Sequence, residues 1–509
     1  MFTPEREPHP AVEEIRYLMQ PVVFKPNEAY TSAECVRVTV KEGCTTSIHL
    51  LVQNRYSFST LEHLDWSWDV TSNRSVEPIR RGQFQLNDPF GDDEICINLQ
   101  SVISRINVLE KSRPARGNSY FLNIQGHLRK ATAWAKRGHT LIRQQIPIKF
   151  VFVHPIPTKI REPKPNQPVS WRLADGEVVI ERPGKEGSTK IATVDPRTGG
   201  INSLYDSRGQ NLLKSPILPN FCRAATDNDQ GGFEKPLEFL FPGFNIQYLF
   251  GILHRLGDFS YAARWKYVGL DAAAEPFVEC TDLQVRDCEQ KSAIHIQASC
   301  HVRNFFHRVT LFDVKIQYYF WGDGRIRVRY HVDPWSTVKR IESLPRVGVN
   351  MTLVCVFYSN ESQHLPSLLR ILTNILNAFA YSFQQREDVY EISYFGKGPH
   401  ENYPDRKAAG QMGQYRTTPR DMGYLKYIVP GENGSRSDCE WICFRDEESS
   451  SGLLVTTANR SFSCSALHYS IEELDRARHT YDLPERRNGK DPIHVNIDFW
   501  LMGLGGDTR

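Results

Sequence analysis

Short runs of alternating apolar and polar residues dominate this chain. They restrict it to folds built from sheets with one buried face. Val36-Arg37-Val38-Thr39-Val40 is one such run, and Ser47 to Val52, Tyr120 to Ile124, Ile294 to Ile296, Val314 to Phe320 and Ile326 to Val332 are others. Successive side chains of a strand point to opposite faces, so a period of two collects the apolar residues on one side. Turn residues between the runs favour antiparallel neighbours. The expected class is all-β.

At 509 residues the chain exceeds one ordinary core. Roughly 150 residues per domain points to about three units. Proline marks a boundary. Residues 154–170 carry Pro155, Pro157, Pro163, Pro165 and Pro168, too many for a helix or a central strand, and read as an extended connector. Before it, residues 22–153 suit an immunoglobulin-like sandwich. After it, residues 171–509 suit one large sandwich. Residues 1–21 read as a lead-in segment. Two apolar stretches break the alternation, near 236–257 and 356–383. Within the second, Leu368, Leu369, Leu372, Ile375, Leu376 and Phe379 fall at helical spacing.

Charge and cysteine usage remove several function classes. Lys and Arg number 62 against 59 Asp and Glu, a net charge of +3, with no dense basic block. A nucleic-acid partner is therefore not expected. Eleven cysteines show no regular spacing, and Cys439 with Cys443 has no second pair at zinc-site distance. They read as free thiols of a reducing compartment. The N-terminal residues have neither a basic stretch nor an apolar one, so no signal peptide is expected. The longest apolar stretch, Leu368 to Phe383, is interrupted by Arg370, Thr373, Asn374 and Asn377, short of the about 18 clean residues of a membrane span. The expected location is cytoplasmic, with no membrane partner.

Several stretches, in order, carry a specific signature. Phe2 to Pro10 and Glu13 to Val22 come first, then Leu51 to Phe58 with Trp66 and Trp68, then Thr132 to His139. Arg223-Ala224-Ala225-Thr226-Asp227-Asn228-Asp229 follows, then Leu344 to Gly348. Phe395-Gly396-Lys397-Gly398-Pro399-His400-Glu401-Asn402-Tyr403-Pro404-Asp405-Arg406 is the longest. Pro430 to Gly434 and Met502 to Asp507 close the series. Any one of these would be weak evidence, but their order resembles the C-terminal portion of glycoside hydrolase family 2 β-galactosidases of the lactase type. The resemblance implies an immunoglobulin-like domain behind a catalytic barrel, then a large galactose-mutarotase-like β-supersandwich. It also implies that the barrel lies before Met1 and is absent here. Ala225 stands where the family has proline.

The resemblance assigns roles that the residues themselves leave open. Retaining glycosidases need two carboxyl groups about 5–5.5 Å apart. In the family both glutamates lie on the barrel, as do most ligands of the magnesium and monovalent cations, so no catalytic or metal-binding residue is expected here. Asn27-Glu28 and Asn360-Glu361 read as loop acids. Asn228, Asp229 and Gly231 fall where relatives have a loop beside the galactose pocket, with Gly231 at a hinge-like position. The alternative is that Asp227 and Asp229 bond to backbone and arginines within the sandwich. Arg223, Asp227, Arg346, Glu401, Asp405 and Arg406 are expected to be structural, with Asp405 and Arg406 as an ion pair. Relatives continue past the glycines to a tryptophan that stacks under the sugar, whereas here the sequence ends at Arg509. Trp500 is expected in the core.

These observations leave competing functions. The first is part of a β-galactosidase acting on terminal non-reducing β-D-galactose residues, such as those of lactose. It would be inactive until a barrel-bearing large subunit joins it. The second is a non-enzymatic carbohydrate-binding or scaffold sandwich. The third is an epimerase using His400 and Glu401, a pair that mutarotase-like folds use for proton transfer. Expected partners are a β-galactoside, a barrel chain or a second copy.

Overall fold

The computed structural model describes residues 3, 6–27, 31–32, 35–40, 46–73, 75–86, 93–112, 118–152, 167–184, 187–230, 260–272, 276–288, 293–304, 309–341, 343–354, 390–446, 452–457, 460–486 and 491–505. Glu28, Gly231, Asn360, Glu361 and the apolar stretches 236–257 and 356–383 lie outside the described residues. So does most of the proline-rich connector. The described chain is all-β, with several sheets and a few short helices.

Two compact units are present. One is Met1–Pro163 with Phe395–His400 and Arg406–Tyr415; the other is Lys164–Tyr394 with Glu401–Asp405 and Arg416–Arg509. In the first unit, a six-stranded sheet runs in the order Thr31–Ser32, Cys35–Val40, Thr140–Phe152, Tyr120–Leu128, Leu64–Ser72 and Ser75–Phe84. A three-stranded sheet has the order Val22–Pro26, Ser47–Asn54, Asp93–Asn98. Alternation places Ile48, Leu50 and Val52 of Ser47–Asn54 inside. Trp66 meets Phe24 edge-on at 5.3 Å and stacks on Phe84 at 5.8 Å. Burying a large apolar side chain of this kind contributes about 1.5–3 kcal/mol. The helix Gln100–Ser112 turns Val102, Ile103 and Ile106 into the same core. The distal segments are fastened by polar ties: Gln145 pairs with both backbone groups of Met412, and Glu14 accepts the amides of Ala408 and Ala409.

In the second unit, a four-stranded antiparallel meander joins Phe277–Cys288, Ala293–Arg303, Thr310–Trp321 and Ile326–Pro334. The inner face of Thr310–Trp321 carries Phe312, Val314, Ile316, Tyr318 and Phe320, all fully buried. Phe221 stacks on Phe312 at 3.9 Å. A nine-stranded sheet runs Ser170–Ala174, Glu177–Gly184, Gly187–Val194, Ile201–Leu204, Leu213–Asn220, Arg346–Leu353, Ile493–Leu501, Phe462–Leu467 and Arg436–Cys439. Its first five strands follow chain order and its last four do not. Crossovers therefore bring residues near 220, 346, 436 and 498 into one sheet. Asn496 joins three neighbouring strands across it, accepting from Asn220 and Asn350 and donating to Ser465.

Trp500 corrects one expectation. It lies at the end of Ile493–Leu501 but is 44% exposed, beside the 54% exposed Phe499. The register shifts between Val347 and Gly348, opposite this point, and a shift of this kind re-aims the side chains on the longer strand.

Candidate functional site

Three of the signature stretches converge in the second unit. Arg223 follows the strand Leu213–Asn220 and its side chain is fully buried. It donates to Asp229 at 2.6 Å and to the carbonyls of Met502 at 2.6 Å and Gly503 at 3.1 Å. The Trp265 ring covers it at 5.1 Å. Trp265 is held on the helix Tyr261–Val268, whose start is capped by Ser260 accepting Ala263 N–H.

Asp229 closes the turn of residues 226–229. It accepts Thr226 N–H and Oγ1–H, each at 2.9 Å. From this turn Asn228 donates to Leu504 O at 2.8 Å. Asp405 meets the same segment from the third stretch, accepting the amides of Leu504 at 3.0 Å and Gly505 at 2.8 Å. Gly503 is required there, since a Cβ would stand 2.5 Å from the Asp405 carboxyl carbon. Residues 502–505 are thus held by Arg223 on one side and Asp405 on the other.

Arg346 forms the adjoining node. Its side chain is fully buried, with Glu432 at 3.0 Å, Asp498 at 2.9 Å and Cys222 O at 3.3 Å. The Asp498 contact is short but off-axis, and it leaves Arg346 Nε and Asp498 Oδ1 without an aligned hydrogen bond. Gly348, opposite Asp498, has no room for a Cβ, which would lie 2.4 Å from Ile497 O. Glu401 accepts Tyr427 O–H and Gly434 N–H, both at 2.8 Å. Gly434 O in turn accepts from buried Arg436, which also donates to Tyr394 Oη.

The cluster holds Arg223, Arg346 and Arg436 against Asp229, Glu401, Glu432 and Asp498, all buried. Acids exceed bases by one, and a buried unbalanced charge is costly. Burial pushes the Asp498 carboxyl up to about 7, against the pull of Arg346. Burial also raises Glu432, again opposed by Arg346. Burial alone would lower Arg346, but Asp498 and Glu432 together hold it above its ordinary value. A proton on Asp498 brings the cluster to balance.

The expected site residues divide as follows. Asp229, expected beside substrate, is 2% exposed and engaged by Arg223 and Thr226. Asp227 and Asn228 are exposed on the turn. Glu401 is 3% exposed with its two oxygens on protein donors, which leaves it no open side for proton transfer to a ligand. His400 and Arg406 are half-buried, and both belong to the first unit. Asp405 binds backbone amides of the second unit. Sequence reasoning missed Glu432, Arg436 and Asp498 as partners. Glu432 and Arg436 stood in or beside a quoted stretch, whereas Asp498 gave no signal beyond an acid in an apolar strand.

Ala225 has a local consequence. Its N–H donates at 3.0 Å to Asp475, whose carboxyl burial raises. A proline there has no N–H. Ala225→Pro is expected to cost about 1–3 kcal/mol, the penalty for a buried acceptor deprived of its donor. Urea unfolding of the two chains measures it, and unchanged stability would refute the role given to this bond.

Among the described residues no group of three or more His, Cys, Asp or Glu side chains is placed to hold a metal ion. Among the described residues no helix is long and apolar enough to cross a membrane.

Comparison with known proteins agrees with this geometry. The family model for the beta galactosidase small chain matches residues 186–361 and 354–509, and that for beta-galactosidase domain 4 matches residues 50–149. A beta-galactosidase of Vibrio cholerae is 27% identical over 392 residues, covering 77% of this chain and 30% of that protein. Those of Pseudoalteromonas haloplanktis and Photobacterium profundum are each 23% identical, covering 100% of this chain and 39% of theirs. The chain thus spans between 30% and 39% of the length of these three relatives. Matched along residues 50–149 and 186–509, with its later signature stretches meeting at the buried node, the chain belongs to the beta galactosidase small-chain family.

Proposed function

We propose that this chain is the sandwich part of a β-galactosidase that hydrolyses terminal non-reducing β-D-galactose residues, and that it is inactive without a catalytic barrel. The observation that carries this reading is the double hold on residues 502–505 by Arg223 and Asp405, beside the turn that exposes Asp227 and Asn228. Such a clamp fixes loops at the edge of a site and performs no proton transfer of its own. The carboxylates of the node are engaged by arginines or by hydroxyl and amide donors, which supports a reading in which the acid and the nucleophile of a retaining reaction come from another chain. A barrel chain would supply both. It would also hold the magnesium and monovalent cations.

The test is hydrolysis of a chromogenic β-galactoside by the pure chain, alone and mixed with a separately expressed barrel from a relative. Turnover is expected only in the mixture. Turnover by the chain alone would overturn the proposal.

A second reading, carbohydrate binding without catalysis, is favoured by exposed Trp500 and Phe499. A flat aromatic suits the apolar face of a pyranose. Galactose-dependent quenching of tryptophan fluorescence, lost in Trp500→Ala, with no activity in the mixture, would select it.

A further inference from the structure

All nine described cysteines are free thiols, and two of them face each other across a strand pair. Phe277–Cys288 and Ala293–Arg303 run antiparallel with Cys280 opposite Cys300. Cys280 N–H points away from its partner strand, to Arg197 O at 2.7 Å. The two residues therefore form a non-hydrogen-bonded pair. In a regular pair of this kind the Cα atoms approach to about 4.5 Å, within the roughly 4.4–6.8 Å that a disulfide spans, and here the register shifts directly after it, between Cys280 and Asp282.

The two sulfurs share one location. The Cys280 thiol donates to Asp282 O at 3.3 Å. Both lie under the turn of residues 195–200: a Cβ on Gly199 would stand 2.8 Å from Cys300 Sγ and 3.5 Å from Cys280 Sγ. Cys300 Sγ lies 3.5 Å from Thr198 O, and Tyr318 donates to Gly199 O at 2.9 Å. Cys300 is buried, whereas Cys280 is only half-buried. The neighbouring Cys300 sulfur holds the Cys280 thiol below its ordinary value, while Cys280 and burial together raise that of Cys300. One member of the pair is thus an accessible nucleophile, and the other is a sheltered partner within reach.

We propose that Cys280 and Cys300 are a reversible oxidation site, at which a hydroperoxide converts the cross-strand dithiol into a disulfide beneath the 195–200 turn. The Cys280 thiolate attacks the peroxide. The O–O bond breaks, and a proton from solvent completes the departing water or alcohol, leaving a sulfenic acid on Cys280. Cys300 sulfur then attacks Cys280 sulfur. The S–O bond breaks, and the departing hydroxide takes the Cys300 proton as water. Two thiols lose two electrons in total, and the peroxide gains them. A small dithiol reverses the change by exchange.

A second close pair provides an internal contrast. Cys439 and Cys464 lie 3.5 Å apart, but both are fully buried, so a peroxide has no path to either in the folded chain.

The experiment uses the whole chain. It is treated with equimolar hydrogen peroxide, blocked with a maleimide, digested and mapped by mass. The expected product is a Cys280–Cys300 linked peptide, lighter by two hydrogens and released by dithiothreitol. Cys439 and Cys464 are expected to stay reduced until the chain is denatured. In Cys300→Ser the link is lost and dimedone is expected to mark Cys280. Two results would overturn the proposal: both residues remaining free while another thiol oxidises, or Cys280 passing to its sulfinic acid without a link. Mapping of the unmutated chain decides the matter even if Cys300→Ser fails to fold.

Discussion

Arg223→Met is expected to destabilise the second unit by about 3–5 kcal/mol, the range for removing one partner of a buried ion pair. Methionine fills much of the arginine stem volume, so the loss isolates the guanidinium. That group serves Asp229, the carbonyls of Met502 and Gly503, and the face of Trp265. Without it Asp229 keeps a buried negative charge, and two buried carbonyls lose their donor. Adding Asp229→Leu removes the stranded charge and is expected to restore part of the stability, because an apolar pair in place of a buried ion pair is often neutral. Recovery is expected to be incomplete, since Asp229 also binds Thr226. Denaturant unfolding of the parent, the single variant and the double variant supplies all three numbers. A single-variant loss below about 1 kcal/mol, the scale of an exposed pair, would show that the node carries no such weight.

The second large effect depends on pH. Burial raises the Asp498 carboxyl from 3.8 to about 7 in the folded chain. Below about pH 4 both folded and unfolded chains carry the proton, and the favourable contribution of the protonated group is fully present. Between about pH 4 and 7 the unfolded chain releases the proton while the folded chain keeps it, so stability falls as pH rises. Above about 7 both are ionised and the loss is complete. The difference between the extremes is about 4 kcal/mol. Glu432, also raised by burial, adds a change of the same sign. Asp498→Asn resembles the protonated acid and cannot ionise. The variant is therefore expected to match the parent near pH 3.5 and to gain on it by pH 8. Urea unfolding at both values tests this, and a parent-to-variant difference independent of pH would refute the assignment.

The alternation was legible wherever one face of a strand meets the core. Ala293–Arg303 and Thr310–Trp321 read correctly because their apolar residues occupy every second position on an inner face. The same rule misleads in Ile493–Leu501. Asn496 and Asp498 occupy what reads as a solvent face, yet they are 5% and 1% exposed. A central strand with both faces covered buries its polar residues as well, and alternation alone does not reveal a second cover. Trp500 failed for the complementary reason: an aromatic residue in an apolar strand reads as core, and only the register shift opposite it explains its exposure. The helix Gln100–Ser112 passed unnoticed among strands because only Val102, Ile103 and Ile106 mark its buried side.

For the site, the sequence alone determined the class, the order of the signature stretches and the identities of Arg223, Asp229, Arg346, Glu401 and Asp405. Composition and period suffice for the class because they reflect how each residue meets water. Only the tertiary structure decided which acid faces which arginine. Arg346 meets Asp498 because their strands, far apart in the chain, are neighbours in the nine-stranded sheet, and Arg223 meets Met502 and Gly503 because those residues follow directly on the second of them. The excess carboxylate that holds a proton near neutrality exists only once those strands are side by side. Charge interactions depend on distance and desolvation, and the fold alone sets both.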